Sequence, residues 1–394
     1  MTHLPEAEWR RRPGLARIVA ALGEGAAKIV GGAVRDTLLG LPVADIDLAT
    51  VLPPQEVTRR LEAAGVKVIP TGIAHGTVTA IASGDPHEIT TLRRDVATDG
   101  RRATIAFADD WREDAARRDF TINALYADPV TGAVDDWFDG IADLAAGRVR
   151  FIGDAATRIA EDHLRILRFY RFAARFGQDV LDPESHAAVV AARQSLKILS
   201  RERIADELTR ILSLPDPRAI VGRMAMDGMF AVLLPELASD HADVLARLVG
   251  NETAAGTAPA ALRRMAALLP ADAAVAEQVA SRLRLSTRQR KHLAAIAGHR
   301  GDTARPVRRL AHAIGVEAAR DVHLLADGDV GALDGWSVPL LPVKGGEVIA
   351  CGVTAGPDVA RILKAVEAAW VAEDFPDAAR VRELVDQEVG RVRD

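Results

Sequence analysis

The sequence predicts a small α/β domain built on a mixed sheet, followed by a chain that is almost entirely helical. Residues 26–50 contain a short apolar run, a glycine turn that opens a helix, and a strand-like run with alternating aspartates. Further strand-like runs lie near residue 66 and over 76–94, and a turn at Gly84-Asp85-Pro86 is expected to divide the second of these. From about residue 155, Ala, Leu and Arg dominate and Pro or Gly breaks separate short helices. The length of 394 residues allows two or more domains.

Composition limits the class of protein. No apolar run approaches the roughly 20 residues that span a bilayer, and the first residues lack a signal-peptide pattern. We therefore expect a soluble, cytoplasmic protein with no membrane partner. The lone cysteine, Cys351, has no CxxC partner, so neither a disulfide nor a zinc site is expected. A net charge of −5 argues against non-specific coating of nucleic acid. Protein partners are not predictable from these features.

Asp45 and Asp47 are the strongest local signal for chemistry. We expect them on a strand, where alternate residues point to the same face and two carboxylates must bind a cation or repel each other. Ligands that are all oxygen suit Mg²⁺, which retains waters and shares the phosphates of a substrate. Asp45 and Asp47 are therefore predicted to be both metal ligands and catalytic residues.

A glycine turn lies upstream of these aspartates. The backbone N–H groups at Gly31 and Gly32, where a strand hands over to a helix, can cradle a triphosphate, and Arg35 can add a charged contact. In this order and spacing, the turn and the aspartates resemble the nucleotidyltransferase superfamily, specifically its tRNA nucleotidyltransferase and bacterial poly(A) polymerase branch. Glu88, on a later predicted strand, is expected to act as a third acidic ligand or as a base for the attacking hydroxyl.

A second motif, RRDFTINA at residues 117–124, matches this family letter for letter. The resemblance implies that Arg118 contacts the phosphates of the nucleotide. Asp119 and Asn123 are four residues apart, on one side of a predicted helix, and we expect them to brace the turn rather than react. The stretch from Arg93 to Trp111 shows no clear period and is predicted to be a mobile loop beside the sheet.

A third motif, EDHLRILRFYRF at residues 161–172, resembles the EDxxRxxR motif of the family. An aspartate that accepts beside an arginine that donates matches the base edge of cytosine and adenine, whereas uracil and guanine present the opposite pattern. Asp162 and Arg165 are therefore predicted to select the base, with Arg168 and Arg171 supporting the base edge or the phosphates. All four are expected on one broad side of a helix.

The resemblance implies an elongated arrangement of four domains. They are a nucleotidyltransferase head at 1–147, a helical neck for base recognition at 148–214, a helical body at 215–335 and a helical tail that binds tRNA at 336–394. It also implies the activity: addition or repair of the 3′-terminal CCA of tRNA from CTP and ATP, with Mg²⁺, with release of pyrophosphate and without a nucleic-acid template.

Several alternatives share this machinery. A bacterial poly(A) polymerase would use the same metal and phosphate residues, although TGIAHGTVT at 71–79 resembles the CCA-adding form. Enzymes that add only CC or only A differ mainly in the loop near 93–110, which is present here. A non-catalytic tRNA binder is disfavoured because both Asp45 and Asp47 are retained. The sequence SDHAD at 239–243 does not form a metal phosphohydrolase site.

Overall fold

The chain folds into two compact units in its computed structural model, which describes residues 2–99, 102–177, 181–326 and 329–393. The first unit comprises Met1–Glu207 and Arg223–Leu233. The second comprises Leu208–Gly222 and Leu234–Asp394. The division into four domains remains a prediction.

A mixed sheet of seven strands forms the centre of the first unit, as the sequence predicts. The described residues of this unit contain nine strands, of which all but β6 and β7 belong to this sheet: β1 (Ala27–Val30), β2 (Leu48–Thr50), β3 (Lys67–Gly72), β4 (Thr77–Ala82), β5 (Asp85–Thr91), β6 (Arg93–Asp99), β7 (Arg102–Phe107), β8 (Leu125–Ala127) and β9 (Val134–Asp136). The order across the sheet is β3-β4-β5-β2-β1-β8-β9. Strands β2 and β5 pair in parallel and the other neighbours pair antiparallel.

Two local predictions about the sheet region need correction. The turn expected at residues 84–86 lies one residue earlier, at Ser83 and Gly84, which both have positive φ and join β4 to β5 as a two-residue hairpin loop. The predicted loop from Arg93 onward instead contains β6 and β7, which pair with each other as a separate two-stranded sheet. Backbone hydrogen bonds form that hairpin without an apolar alternation in the sequence. Residues 100 and 101 of the predicted loop lie outside the described residues.

Helices pack around the sheet and continue beyond it. They are α1 (Pro13–Leu22), α2 (Gly32–Leu38), α3 (Pro54–Ala63), α4 (Trp111–Ala116), α5 (Gly140–Ala145), α6 (Ala155–Glu161), α7 (Arg165–Phe176), α8 (Pro183–Ala191), α9 (Arg201–Leu212), α10 (Arg218–Met226) and α11 (Phe230–Leu233). The local sequence determines where several helices begin. Proline occupies the first turn of α1, α3 and α8, and aspartate side chains cap α4, α6 and α8. The helical pattern expected from about residue 155 begins with α6.

The second unit is helical throughout its described residues. It contains the later parts of the chain, with α12 (His241–Ala254), α13 (Ala261–Leu268), α14 (Ala273–Arg282), α15 (Thr287–Gly298), α16 (Val307–Ile314), α17 (Val316–Leu325), α18 (Gly345–Ala350), α19 (Pro357–Ala372) and α20 (Ala378–Arg393). Trp370 of α19, 2% exposed, lies in an apolar cluster shared by α18, α19 and α20. Over the described residues of the whole chain, no helix is both long enough and apolar enough to span a membrane.

Candidate active site

The two aspartates lie at the entrance to strand β2. Contrary to prediction, they precede the strand, which begins at Leu48. The carbonyl of Asp47 still accepts from the Val30 N–H at 3.0 Å, so the backbone enters the sheet in extended form. Ile46 is buried whereas Asp45 and Asp47 are exposed, so the two carboxylates point away from the buried side together. The predicted common face of the pair is therefore confirmed.

Glu88 joins the aspartates across the parallel strand pair. Leu48 lies beside Ile89, so Asp47 and Glu88, one residue earlier on each chain, are neighbours on the same face. Partial desolvation, then the charges of Glu88 and Asp45, raise the pKa of Asp47, while Arg118 opposes that shift. Three negative groups thus act on one another at this point, which a bound cation would relieve.

The carboxylate set fits a metal shared with a substrate rather than one enclosed by protein. Over the part of the chain that the structure describes, no group of three or more His, Cys, Asp or Glu side chains is placed to hold a metal ion. Asp45 and Asp47 would therefore supply two oxygen ligands and leave the remaining positions for water and phosphate oxygens. The role of Glu88, as a third ligand or as a base, stays a prediction.

A strained glycine turn lies between β1 and α2. Gly31 has φ of 64° and ψ of −116°, a conformation that suits glycine, and its N–H donates to the Leu125 carbonyl at 3.0 Å. A Cβ atom at this position would come within 3.2 Å of Arg118 Nη1. Helix α2 starts at Gly32 with no capping side chain on its first N–H groups. The turn therefore leaves backbone donors available beside a guanidinium.

Arg118 occupies the position next to this turn. Its Nε–H donates to the Tyr126 hydroxyl at 2.9 Å, and its Nη2 lies 3.5 Å from Asp114 Oδ2. The guanidinium is partly exposed, because about a quarter (24%) of the side-chain surface reaches solvent. The charge of Arg118 also lowers the pKa of Asp47, so Arg118 lies within electrostatic reach of the carboxylates. This is the arrangement expected of a residue that contacts nucleotide phosphates.

Arg35 has a different environment from the one that a phosphate contact requires. Its side chain is buried, its Nε and Nη2 donate to Asp36, and its Nη1 donates to Asn123. The guanidinium carbon lies 4.1 Å from the centre of the Phe176 ring. All three guanidinium nitrogens thus have acceptors, and Arg35 braces α2 against the RRDFTINA segment. Contact between Arg35 and phosphate stays a prediction that would require these bonds to be exchanged.

Asp119 and Asn123 brace the RRDFTINA segment, as predicted. The Asn123 amide donates to Asp119 Oδ1 at 3.0 Å, and the Phe120 N–H donates to the same oxygen at 2.9 Å. The expected helix is wrong, however, because Thr121–Asn123 forms a single 3-10 turn. The side-chain bonds to Asp119 compete with a longer helix at this point.

Asp162 lies before the helix of the third motif rather than on it. Helix α7 begins at Arg165, and the Asp162 backbone is extended, with φ of −149° and ψ of 103°. Its Oδ1 accepts from the Leu164 N–H at 3.1 Å, which starts the new helix from a local turn. Its Oδ2 accepts from Arg203 Nη2 at 2.7 Å. The predicted common helix side therefore holds only for Arg165, Arg168 and Arg171.

Each of these three arginines already has partners. Arg165 donates to Glu161 Oε2 at 2.6 Å and to the Arg117 carbonyl at 3.0 Å. Arg168 donates to Asp119 Oδ2 at 2.7 Å. Arg171 is buried and donates to Glu207 Oε2 at 2.6 Å. The arginines thus attach α7 to the RRDFTINA segment and to α9.

Four partner residues in this site are not expected from the sequence, namely Asp114, Tyr126, Arg175 and Glu207. Two features of the sequence could have indicated some of these residues. Asp114 and Arg118 are four apart, as are Arg203 and Glu207, a spacing that brings side chains together on a helix. Tyr126 is one of only two tyrosines in the chain.

Comparisons with known proteins agree with this geometry. The family described as the poly A polymerase head domain matches residues 27–150, and the one described as the probable RNA and SrmB-binding site of polymerase A matches residues 180–240. CCA tRNA nucleotidyltransferase 1, mitochondrial, of Danio rerio is 35% identical over 376 residues, 87% of this chain and 83% of that protein.

Two bacterial proteins extend the comparison. The CCA-adding enzyme of Leuconostoc citreum is 42% identical over 211 residues, which are 53% of this chain and 50% of that protein. The crystal structure of the Bacillus stearothermophilus CCA-adding enzyme in complex with CTP is 28% identical, with a TM-score of 0.78, over 97% of this chain and 99% of that chain.

These likenesses confirm the predicted fold class of an α/β nucleotidyltransferase head followed by helical domains. Nucleotidyltransferases of this kind use divalent metal ions, and the assignment of Asp45 and Asp47 as their ligands stays a prediction. The identity of 35% extends over 87% of the chain, well beyond the catalytic head. The chain therefore belongs to the family of CCA-adding tRNA nucleotidyltransferases.

Proposed function

We propose that this chain completes the 3′ CCA end of tRNA at one site, with Mg²⁺ held by Asp45 and Asp47 and with the base chosen by protein side chains. Membership of the family makes the chain a nucleotidyltransferase that adds CCA to tRNA from CTP and ATP. The observation that carries the proposed site is the grouping of Asp45, Asp47 and Glu88 on one face, beside Arg118 and the Gly31 turn.

The arrangement suits in-line nucleotidyl transfer. The 3′-hydroxyl of the tRNA attacks the α-phosphate of the incoming nucleotide, a new phosphodiester bond forms, and pyrophosphate leaves. A bound Mg²⁺ supplies positive charge that favours both the attacking and the leaving oxygens. Glu88, beside Asp47, is the proposed acceptor of the hydroxyl proton.

The triphosphate has its own set of donors. The Gly32 N–H at the start of α2 and the guanidinium of Arg118 lie beside the same turn, whereas the Gly31 N–H already donates to the Leu125 carbonyl. Because phosphate oxygens are common to CTP and ATP, these contacts serve both nucleotides equally. Selection of the base must therefore come from other residues.

Asp162 and Arg165 are the proposed base-selecting pair. About a third (34%) of the Asp162 side chain is exposed, and each of its oxygens has a second lone pair, so it can accept from an exocyclic amino group while it still binds Arg203. Arg165 is less exposed, at 14%, and would donate to the ring nitrogen beside that amino group. Arg168 and Arg171 then support the pair through Asp119 and Glu207.

The helical remainder is the proposed holder of the tRNA. Contacts with phosphates and with the shape of a folded RNA need no sequence motif, which agrees with the lack of motifs over 215–335. We retain the head, neck, body and tail boundaries of the sequence analysis as part of this proposal. A poly(A) polymerase of the same family, or an enzyme that adds only CC or only A, would use the same catalytic residues.

Transfer by variants of the two aspartates tests the proposed site. Asp45→Asn and Asp47→Asn, assayed for incorporation of labelled CMP into a tRNA that lacks CCA, should each lose transfer at saturating Mg²⁺. Asp154→Asn is the matched control, because Asp154 is an exposed helix cap and asparagine caps equally well. Retention of full transfer by both site variants would contradict the proposed metal site.

A further inference from the structure

Two buried side chains hold Arg118, and the mechanism above does not use them. The Arg118 Nε–H donates to the Tyr126 hydroxyl at 2.9 Å, and that hydroxyl donates to Asp114 Oδ2. Tyr126 is 0% exposed and Asp114 is 2% exposed. A tyrosine hydroxyl has one proton, so its donation to Asp114 leaves a lone pair for Arg118. Asp114 thus orients the Tyr126 hydroxyl so that its oxygen can accept the hydrogen bond from Arg118.

Asp114 is itself fixed by further bonds. Its Oδ1 accepts from Arg117 Nε at 2.8 Å and from the Arg93 backbone N–H at 3.1 Å. Burial opposes ionisation of Asp114, but the charges of Arg117 and Arg118 and the hydrogen bond from Tyr126 outweigh it and hold its pKa below the ordinary value. Asp114 therefore remains a charged acceptor at neutral pH.

The ring of Tyr126 is held as firmly as its hydroxyl. Trp111 and Trp137 pack edge-on against it, with ring centres 6.0 Å and 5.5 Å away. Tyr126 belongs to β8 and pairs with Val30, the residue directly before the Gly31 turn. The hydroxyl that accepts the hydrogen bond from Arg118 therefore lies on the strand that pairs with the strand leading into the Gly31 turn.

We propose that Asp114 and Tyr126 are positioning residues for the triphosphate, because together they hold Nη1 of Arg118 beside the Gly31 turn. This inference rests on the proposed function, in which Arg118 contacts the phosphates. The Nη1 atom lies 3.2 Å from where a Gly31 Cβ would stand, while Nη2 lies on the side of Asp114. An arginine held in place before binding loses less conformational freedom when phosphate arrives.

Tyr126→Phe is the direct test, because it removes only the hydroxyl. Tyr170→Phe is the matched control: Tyr170 is also 0% exposed, and its hydroxyl donates to Asp227 Oδ2 at 2.8 Å, within the first unit and without contact to Arg118. KM and kcat are measured for CTP with tRNA lacking CCA and for ATP with tRNA ending in CC. Inhibition by inorganic tripolyphosphate, which has neither base nor ribose, gives a separate readout of the phosphate contacts.

For Tyr126→Phe, the proposal expects KM for CTP and for ATP to rise by the same factor, about tenfold, since a hydrogen bond to a charged group is lost. The inhibition constant of tripolyphosphate rises by that factor too, whereas KM for tRNA and the preference for CTP over UTP stay unchanged. Asp114→Asn moves the same quantities in the same direction. Tyr170→Phe leaves all of them at wild-type values.

Two further variants distinguish a failure of the positioning role from a failure of the proposed function. They are Arg118→Ala and the double variant Arg118→Ala with Tyr126→Phe. The double variant should be no worse than Arg118→Ala alone, because the hydroxyl acts through Arg118. If Arg118→Ala weakens nucleotide binding but Tyr126→Phe does not, the positioning role is wrong and the proposed function stands. An equal loss in Tyr170→Phe overturns the positioning role as well. If Arg118→Ala instead keeps the wild-type KM for CTP and ATP, Arg118 does not contact the phosphates and that part of the proposed function is wrong.

Discussion

Arg168 donates its Nε–H to Asp119 Oδ2 at 2.7 Å, and this bond joins the proposed base-selecting helix to the RRDFTINA segment. The other oxygen of Asp119 accepts from Asn123, and Asn123 in turn accepts from Arg35 of α2. A continuous series of charged hydrogen bonds therefore runs from α7 to the helix that follows the glycine turn. In the proposed function, such a series would fix the base-selecting residues relative to the phosphate-binding residues, which selection of a base without a template requires.

Asp119→Asn should weaken the fold as well as catalysis. It removes the charge that pairs with Arg168, which is only 30% exposed, and leaves a buried polar contact incompletely satisfied, so we expect a loss of about 1–3 kcal/mol in unfolding free energy. Urea denaturation of the first unit, followed by tryptophan fluorescence, measures this. Glu6→Gln breaks an ion pair of the same unit, with Arg11, whose partners are about three-quarters exposed, and should lower the unfolding free energy far less. Equal effects of the two changes would contradict a structural role for the Arg168–Asp119 pair.

Gly31→Ala should impair transfer far more than Gly25→Ala. Both glycines have positive φ, 64° and 69°, so both variants carry backbone strain. Only at Gly31 does the added Cβ meet Arg118, whereas nothing lies within 4 Å at Gly25. We expect kcat/KM for CTP to fall by at least about tenfold in Gly31→Ala, because a small displacement of a positioned group is costly. Wild-type kinetics in Gly31→Ala would show that the turn does not need this close approach.

Asp162→Asn should relax the choice of base. An amide presents both a donor and an acceptor where the carboxylate only accepts, so uracil gains a partner and cytosine keeps a weaker one. We expect the ratio of kcat/KM for CTP to that for UTP to fall by about tenfold or more. Competition between the two nucleotides on tRNA lacking CCA measures this ratio, and Asp154→Asn again serves as the control. An unchanged ratio would place base selection elsewhere.

Asp47→Asn should raise the Tm of the metal-free protein while it removes activity. The pKa of Asp47 is raised by desolvation and by Glu88 and Asp45, so its charge destabilises the folded state at neutral pH. The penalty disappears as pH falls through the raised pKa and Asp47 takes up a proton. The gap in Tm between variant and wild type in EDTA should therefore close at acidic pH. Added Mg²⁺ should stabilise only the wild type, and a lower Tm for the variant in EDTA at neutral pH would contradict this electrostatic account.

Short-range spacing predicts the parts of the site that depend on neighbouring residues. The common face of Asp45 and Asp47 follows from alternation in an extended chain, and the position of Gly31 follows from the strand, turn and helix pattern around it. Local physics decides both features.

Long-range partners decide the features that the sequence does not predict. Arg35 and Asn123 are 88 residues apart, and Arg175 and Asp36 are 139 apart, so no local pattern shows that they meet. The hairpin of β6 and β7 forms through backbone pairing, which leaves no period of apolar side chains to detect. The place of Asp162 outside α7 depends on its own hydrogen bond to Leu164, which competes with a longer helix.

The most direct measurement is product analysis at single-nucleotide resolution, with purified protein, Mg²⁺ and a tRNA transcript that lacks its 3′ CCA. The account predicts that CTP alone yields tRNA ending in CC, and that CTP with ATP yields tRNA ending in CCA and no longer product. A long ladder of added adenosines, or no extension under any condition, would contradict it.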